Sequence, residues 1–227
     1  MLKPSFNQKG FTLIEVLITM FILVVGLLGL AAMQLTVTQA NQDSYVRSQA
    51  MVIVQSMADR IRLNQQYVNR TDYTSPVLVA ANDNAYSTKT NYNFSGLGSC
   101  TSTAWNCYCQ TIPNNVPKCR DDGSTNAASC SASELAQFDA WEMSCAGVNV
   151  HPDFFLEVAC QDANSADGDA CSAHSNYVVT ASWPASVSDV SSRASCPTDI
   201  TLGLAATGAQ NVDRNCVLLT VTLGGSR

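Results

Sequence analysis

The 227-residue sequence has few charged side chains, only two histidines and no cysteine before Cys100. Charged residues make up 13% of the chain, and the net charge is −6. From Asp72 onward acidic side chains outnumber basic ones. Such a surface repels a phosphate backbone, so we expect no direct nucleic-acid binding. A structural zinc site is also disfavoured, because the chain has no C-x-x-C pair and few histidine ligands.

Recognisable catalytic motifs are also missing. There is no G-x-x-x-x-G-K-[ST] phosphate-binding loop and no nucleophile motif. His151 precedes Pro152 at a predicted strand start, and His174 lies in a serine-rich turn. We therefore predict that the protein is not an enzyme and needs no cofactor or metal.

All ten cysteines lie between Cys100 and Cys216. An even number of cysteines in a loop-rich stretch indicates disulfides and an oxidising compartment. The sequence does not fix their pairing, but Cys160–Cys171 and Cys196–Cys216 are the first expectation because each pair is close in sequence. The predicted disulfide cysteines are Cys100, Cys107, Cys109, Cys119, Cys130, Cys145, Cys160, Cys171, Cys196 and Cys216.

A long apolar segment occupies the N-terminal region. No charge occurs from Val16 to Gln42, and no proline from Leu13 to Ser75. The apolar residues reach the roughly 20 that a membrane-spanning helix needs. Lysines but no acids precede the segment, which places the N-terminus in the cytoplasm and the remainder outside.

Three interpretations of this segment compete. It is an uncleaved anchor, a signal peptide cut after the apolar run near Gly29–Ala32, or a precursor cut before the run. Glu15 favours the third, because a carboxylate in a membrane helix is costly and normally has a charge partner. Cleavage after Gly10 would free an α-amine at Phe11, one helical turn from Glu15. The same carboxylate could instead reach the amine of a neighbouring chain.

The run Lys9-Gly-Phe-Thr-Leu-Ile-Glu15 resembles the processing site of type IV prepilins and pseudopilins. The resemblance implies cleavage between Gly10 and Phe11 and N-methylation of Phe11. It also implies that Glu15, with Thr12, acts in filament assembly by pairing with a neighbour's N-terminal amine. Many major pilins have a helix-bending proline where this chain has Ala32. Two glycines of the run, Gly26 and Gly29, could let the helix bend or melt, or could permit close helix packing.

The helical pattern continues beyond the apolar run. Val46, Ala50, Ile53/Val54, Met57 and Ile61 recur at spacings of three and four residues. We predict one helix over 11–67, with a transmembrane part at about 11–33 and an amphipathic part that packs on the rest of the chain. Residues 1–10 form the cleaved leader.

Residues 68–150 are predicted to be an irregular cysteine-rich region with little core of its own, including loop and short strands over 69–102. A capping box at Ser131 and Glu134 opens a short helix at about 133–146, and Gly147 is expected to stop it. Leu135 and Phe138 are expected to face the core. Trp141 fits either core packing or a partner contact.

Residues 151–227 contain three runs with alternating apolar side chains, in DFFLEVAC, YVVTASW and CVLLTVTL. This alternation predicts half-buried antiparallel strands. The predicted fold is α+β and pilin-like: a lollipop whose long N-terminal helix packs on an antiparallel sheet with a cysteine-rich, disulfide-bonded loop region.

One acidic loop shows a partial calcium-site pattern at Asp162, Asn164, Asp167 and Asp169. It departs from an EF-hand, because Ala166 and Ala173 occupy ligand positions and the glycine is one place late. A polar turn clamped by Cys160 and Cys171 is the simpler interpretation.

The order of elements, the Ala132–Glu142 helix and the Tyr177–Trp183 strand are similar to minor pilins of the PilV type. This resemblance implies a role in priming type IV pilus assembly and a place at the pilus tip, supporting piliation, twitching motility and adhesion. The implied partners are other minor pilins, the major pilin, the prepilin peptidase, the assembly platform and a tip adhesin. The implied location is the inner membrane with a periplasmic head, and then the fimbrium. A type II secretion pseudopilin, or a secreted binding module or enzyme behind a signal peptide, remains an alternative.

Overall fold

One long helix, one shorter helix and a three-stranded sheet make up the regular structure. A computed structural model describes residues 10, 12–68, 84–121, 127–164, 166, 171–172, 174–185 and 214–223. The chain divides into two units, Met1–Asp43 and Ser44–Arg227. The elements are α1 (Leu13–Leu63), α2 (Gln65–Val68), α3 (Ala132–Val150), β1 (Phe155–Gln161), β2 (Asn176–Pro184) and β3 (Arg214–Val221), with short 3-10 turns at Lys89–Asn91 and Ser95–Leu97 and a π-helical turn at Trp105–Cys109. The predicted α+β class is confirmed.

The long helix α1 ends earlier than the predicted Tyr67. It breaks at Asn64, whose side-chain amide donates to the carbonyl of Ala132 at 2.9 Å. Asparagine favours such breaks because its side chain hydrogen-bonds to backbone groups outside the helix. The four residues of α2 then follow as a separate turn.

The predicted apolar stripe of α1 is buried in the second unit. Its members Ala50, Val54, Met57 and Ile61 are completely buried, and Ile53 is nearly so. They share one hydrophobic core with the sheet residues Leu156, Val158, Tyr177, Val179, Ala181, Trp183, Val217 and Val221. The amphipathic part of α1 therefore packs on the sheet, as its periodicity predicted.

The sheet has the order β1-β2-β3, and both pairings are antiparallel. The three predicted strands are confirmed, but the expectation of one buried face is only partly met. Glu157 and Ser182, which point away from the α1 side, are also buried. Their burial is tolerated because each has a polar partner: Lys89 Nζ lies 3.0 Å from Glu157, and Arg214 Nε donates to Ser182 Oγ at 3.1 Å.

Helix α3 begins at the predicted capping box. The Glu134 N–H donates to Ser131 Oγ at 3.3 Å, and the Ser131 N–H donates to the Glu134 carboxylate at 2.8 Å. Phe138 is buried as expected. Leu135 is not, because 38% of its surface is exposed and the core face of α3 starts at Ala136.

The predicted stop at Gly147 is wrong, since α3 continues to Val150. Gly147 serves packing instead. A Cβ atom at this position would lie 2.1 Å from Cδ1 of Phe154, which is buried against the helix. The glycine allows the chain after α3 to approach the helix surface closely.

The irregular region before α3 has more core than predicted. In its described part, residues 84–102 form two 3-10 turns and no strand, so the expected short strands are absent there. A second apolar cluster joins this region to α3. Its buried members are Phe94, Val116, Phe138, Trp141, Cys145 and Val148.

Candidate functional site

The residues predicted to act in processing and assembly lie at the start of α1. Gly10 is exposed, and no atom of another described residue lies within 4 Å of the position that a Cβ would take. The carbonyl of Thr12 accepts the N–H groups of Glu15 at 3.1 Å and Val16 at 3.3 Å, which opens the helix. The Glu15 side chain is exposed in this first turn, where the helix dipole favours an anion. Phe11 lies outside the described residues.

From Val16 to Met33 the helix that follows has no polar face, since Thr19 is the one polar side chain in this stretch. Within the part of the chain that the structure describes, α1 is the one helix long and apolar enough to cross a membrane, and none of its apolar window is buried. A helix that is apolar all round needs lipid or other helices around it. Such a segment can anchor the chain in a bilayer or pack into a bundle.

The two glycines of this segment do not interrupt α1. The helix is continuous through Gly26 and Gly29, and a Cβ at either would meet nothing within 4 Å. Neither glycine is therefore explained by packing within the described part of this chain.

A partly buried ionic network joins α1 to α3 inside the second unit. Arg60 pairs with Asp139 and, through Nη2, with Glu142 at 2.6 Å. Asp139 also accepts a hydrogen bond from the Tyr86 hydroxyl at 2.9 Å. On the outer side, Arg120 Nη1 reaches the other oxygen of Glu142 at 2.6 Å. The network thus connects α1 and α3 to each other and to the loop residues Tyr86 and Arg120.

This environment changes the pKa values of its members. Burial alone lowers the pKa of Arg60, but the hydrogen bond that Arg60 donates to Asp139 and the charge of Glu142 outweigh it, so the net pKa is raised. Burial, followed by the charge of Asp139, raises the pKa of Tyr86. The guanidinium and the neutral phenol are therefore the favoured forms near neutral pH. The network therefore connects α1 to α3 by charge pairing.

This network could not be predicted from the sequence. Arg60 lies mostly off the apolar stripe of α1. The available signal was the acid pair Asp139 and Glu142, spaced three residues apart on a helix that carries no lysine or arginine. Nothing in the sequence showed which cation would meet the pair.

Four disulfides connect described residues: Cys100–Cys107, Cys109–Cys145, Cys119–Cys130 and Cys160–Cys171. The prediction of disulfides is confirmed, and so is the Cys160–Cys171 pair. Cys216 is also disulfide-bonded, while its expected partner, Cys196, lies outside the described residues. Only Cys109–Cys145 ties the irregular region to α3.

The acidic loop is organised around Asp162. Its Oδ1 accepts from the Ser172 hydroxyl at 2.7 Å, the Ser172 N–H at 3.0 Å and the Asn164 N–H at 3.1 Å. These hydrogen bonds, led by that of the Ser172 side chain, lower the pKa of Asp162. No cluster of metal-ligating side chains occurs among the described residues, and Asp167 and Asp169 lie outside them. The carboxylate of Asp162 therefore stabilises the turn by accepting these hydrogen bonds.

The remaining candidate side chains have local roles. Trp141 is buried, and its Nε1 donates to the carbonyl of Tyr108 at 3.0 Å, which fits core packing. His151 Nδ1 accepts the N–H of Asp153 at 3.1 Å at the end of α3. His174 lies in a turn with φ of 67°.

Comparison with protein families gives two matches that adjoin in the sequence. The model of the prokaryotic N-terminal methylation motif matches residues 5–31, and a model described as type IV pilin Tt1218 matches residues 32–141. Neither the curated proteins nor the solved structures contain a significant match. The long apolar helix, the small antiparallel sheet and the disulfides agree with the fold of this family.

Proposed function

Because the chain belongs to the type IV pilin superfamily, we propose that it is a minor pilin of the PilV type that acts in priming and assembling type IV pili. The observation that carries the proposal is the position of Glu15. It is an exposed carboxylate in the first turn of an exposed apolar helix, within the matched methylation motif. Members of a structural family with this motif serve as filament subunits, and we propose the same role for this chain.

Processing would precede assembly. We propose that the prepilin peptidase cuts between Gly10 and Phe11, which removes residues 1–10, and that Phe11 is N-methylated. Residues 11–33 then hold the subunit in the inner membrane, with the head in the periplasm. The exposure of Gly10 supports access by a peptidase.

Assembly would move the apolar helix from lipid into the filament. Glu15 cannot remain unpaired in an apolar environment without a large cost. We propose that it pairs with the N-terminal amine of a neighbouring pilin, with Thr12 shaping the helix start through its carbonyl. Other minor pilins and the major pilin are the partners, and the assembly platform and a tip adhesin complete the set.

The head would serve by presenting surface, without catalysis. Residues 151–227 supply the sheet, and residues 68–150 supply disulfide-bonded loops for contacts at the pilus tip. Piliation, twitching motility and adhesion are the processes that such a subunit supports. The PilV-like segments in α3 and β2 favour the pilus over a type II secretion pseudopilin.

Mass spectrometry of sheared surface filaments and of the membrane fraction tests this proposal. We expect head peptides together with an N-methylated Phe11 in the sheared fraction. A methylated Phe11 confined to membranes would contradict a place in the assembled pilus and would leave a secretion pseudopilin or a priming-only role. A mature N-terminus near Met33 would contradict the prepilin assignment.

The role of Glu15 has its own test. Glu15→Ala should leave membrane insertion intact and reduce surface pili. The matched control is Asp59→Ala, which removes an acid on the same helix where its side chain is exposed. Equal piliation in both variants would refute charge pairing by Glu15.

A further inference from the structure

The surface between the two 3-10 turns and α3 includes a long uncharged stretch. No charged side chain occurs over residues 90–117, in a chain whose net charge is −6. Within it Ser102, Asn106 and Gln110 are exposed to solvent. Exposed protein surface normally carries charged side chains. An exposed row of amide and hydroxyl side chains without charges is therefore a candidate binding surface.

These three side chains form a hydrogen-bonded row, the amide ladder of Ser102, Asn106 and Gln110. Gln110 Nε2 donates to Asn106 Oδ1 at 3.0 Å, and Asn106 Nδ2 donates to Ser102 Oγ at 3.2 Å. The bonds fix both amides in orientation. Each amide nitrogen keeps a second N–H, and Gln110 keeps its carbonyl oxygen, for a molecule outside the protein.

The backbone beneath the amide ladder is unusually constrained. It includes the π-helical turn Trp105–Cys109, a rare conformation that is frequent at functional sites. Two disulfides, Cys100–Cys107 and Cys109–Cys145, hold this turn. Phe94 adopts φ of 57°, which is strained for an aromatic residue, and its ring stacks on Tyr108 at 5.3 Å. The fold thus holds rigid the turn that carries the amide ladder, because the opposite side of this turn packs on the second apolar cluster.

We propose that the amide ladder is the binding site for a neutral saccharide. Sugar hydroxyls both donate and accept hydrogen bonds, as the free groups of Asn106 and Gln110 do. Nucleic acids, metal ions and acidic peptides require charges that residues 90–117 lack. A fixed, pre-oriented site also lowers the entropy cost of binding.

The proposal rests on the display of the head outside the cell, which the proposed pilus role provides. The two are separable by experiment, since saccharide binding by the isolated protein needs no pili. Failure of the filament test would leave binding intact, and failure of binding would leave filament assembly intact.

The binding test uses the full chain in lipid nanodiscs, which avoids glycoside detergents. The probe is an array of immobilised oligosaccharides ending in galactose, mannose or N-acetylglucosamine, with sialylated and sulfated counterparts. We expect binding to at least one neutral class. Asn106→Ala and Gln110→Glu should each weaken it about tenfold, as the loss of a hydrogen-bonding group predicts. The matched control is Asn114→Ala, which removes an exposed amide of the same uncharged stretch outside the amide ladder.

Disulfide mapping of each variant shows that its fold is retained, and Gln110→Glu preserves side-chain size if Asn106→Ala misfolds. Three results would overturn the proposal: no binding to any neutral saccharide, binding to acidic saccharides alone, or equal loss in Asn114→Ala and the amide-ladder variants. A second copy of the chain or a peptide bound at the same surface without saccharide would also overturn it.

Discussion

Replacing Asp139 by asparagine tests the ionic network between α1 and α3. Asp139 is buried, pairs with Arg60 and accepts a hydrogen bond from Tyr86 at 2.9 Å. The substitution keeps the shape of the side chain and removes its charge. Arg60, whose side chain is 18% exposed, then retains only Glu142 as a counter-charge among the described residues.

The expected loss is large for a single isosteric change. Breaking a buried ion pair from one side costs about 3–5 kcal/mol, because a buried charge loses its partner. Since Glu142 still faces Arg60, we expect a value near the lower limit, about 3 kcal/mol. For a unit of this size, that loss corresponds to a fall in Tm of roughly 6–12 °C.

The chain supplies its own control in the exposed pair of Arg62 and Asp59, with nitrogen and oxygen 2.8 Å apart. Asp59→Asn removes the same charge from the same kind of pair at the surface, where the cost is about 0–1 kcal/mol. Urea unfolding of the full chain in nanodiscs, followed by tryptophan fluorescence, measures both variants. Losses within about 0.5 kcal/mol of each other would refute the argument that burial makes the Asp139 pair important.

Two further predictions concern the head. Gly147→Ala places a Cβ 2.1 Å from Phe154 and should destabilise the head by about 1–3 kcal/mol in the same urea assay. The control Gly96→Ala, with open space around the added Cβ, should not destabilise it. An unchanged unfolding midpoint for Gly147→Ala would contradict the close approach of Phe154 to Gly147. The second concerns alkaline pH, where the raised pKa of Tyr86 favours the folded state until the phenol ionises in the unfolded chain. This stability is fully present below about pH 10 and is lost as the pH rises further. The decline in stability between pH 9 and pH 11 should therefore be smaller in Tyr86→Phe, while Tyr45→Phe, at an exposed position, should leave it unchanged; equal declines would refute the assignment.

The start of α1 could be read from the sequence because its signals are local. A glycine, an acid and an uninterrupted apolar run need no distant partner to be recognised. The strands were found for the same reason, since alternation is visible within eight residues. The capping box of Ser131 and Glu134 lies within four residues and was also predicted correctly.

Features that depend on distant residues were missed or misread. Gly147 resembled a helix stop, but the reason for the glycine is Phe154, which packs on it from the following turn. Arg60 resembled a surface cation, but its partner Asp139 is 79 residues away. Asn64 was predicted to lie within the helix, but its side-chain amide hydrogen-bonds to the start of α3. In each case tertiary contact decided the outcome, and local pattern did not contain it.

The disulfides and the second apolar cluster together explain how the described part of the irregular region is held in place. Residues 84–121 and 127–130 contain no strand and no long helix, so they have few backbone hydrogen bonds of regular structure. The small cluster around Phe94 and Trp141 supplies apolar burial, and Cys109–Cys145 adds a covalent link from that cluster to α3. A cross-link stabilises mainly by restricting the unfolded chain, so it adds most where native contacts are few. The head can therefore hold an exposed polar surface such as the amide ladder rigid without a large core beneath it.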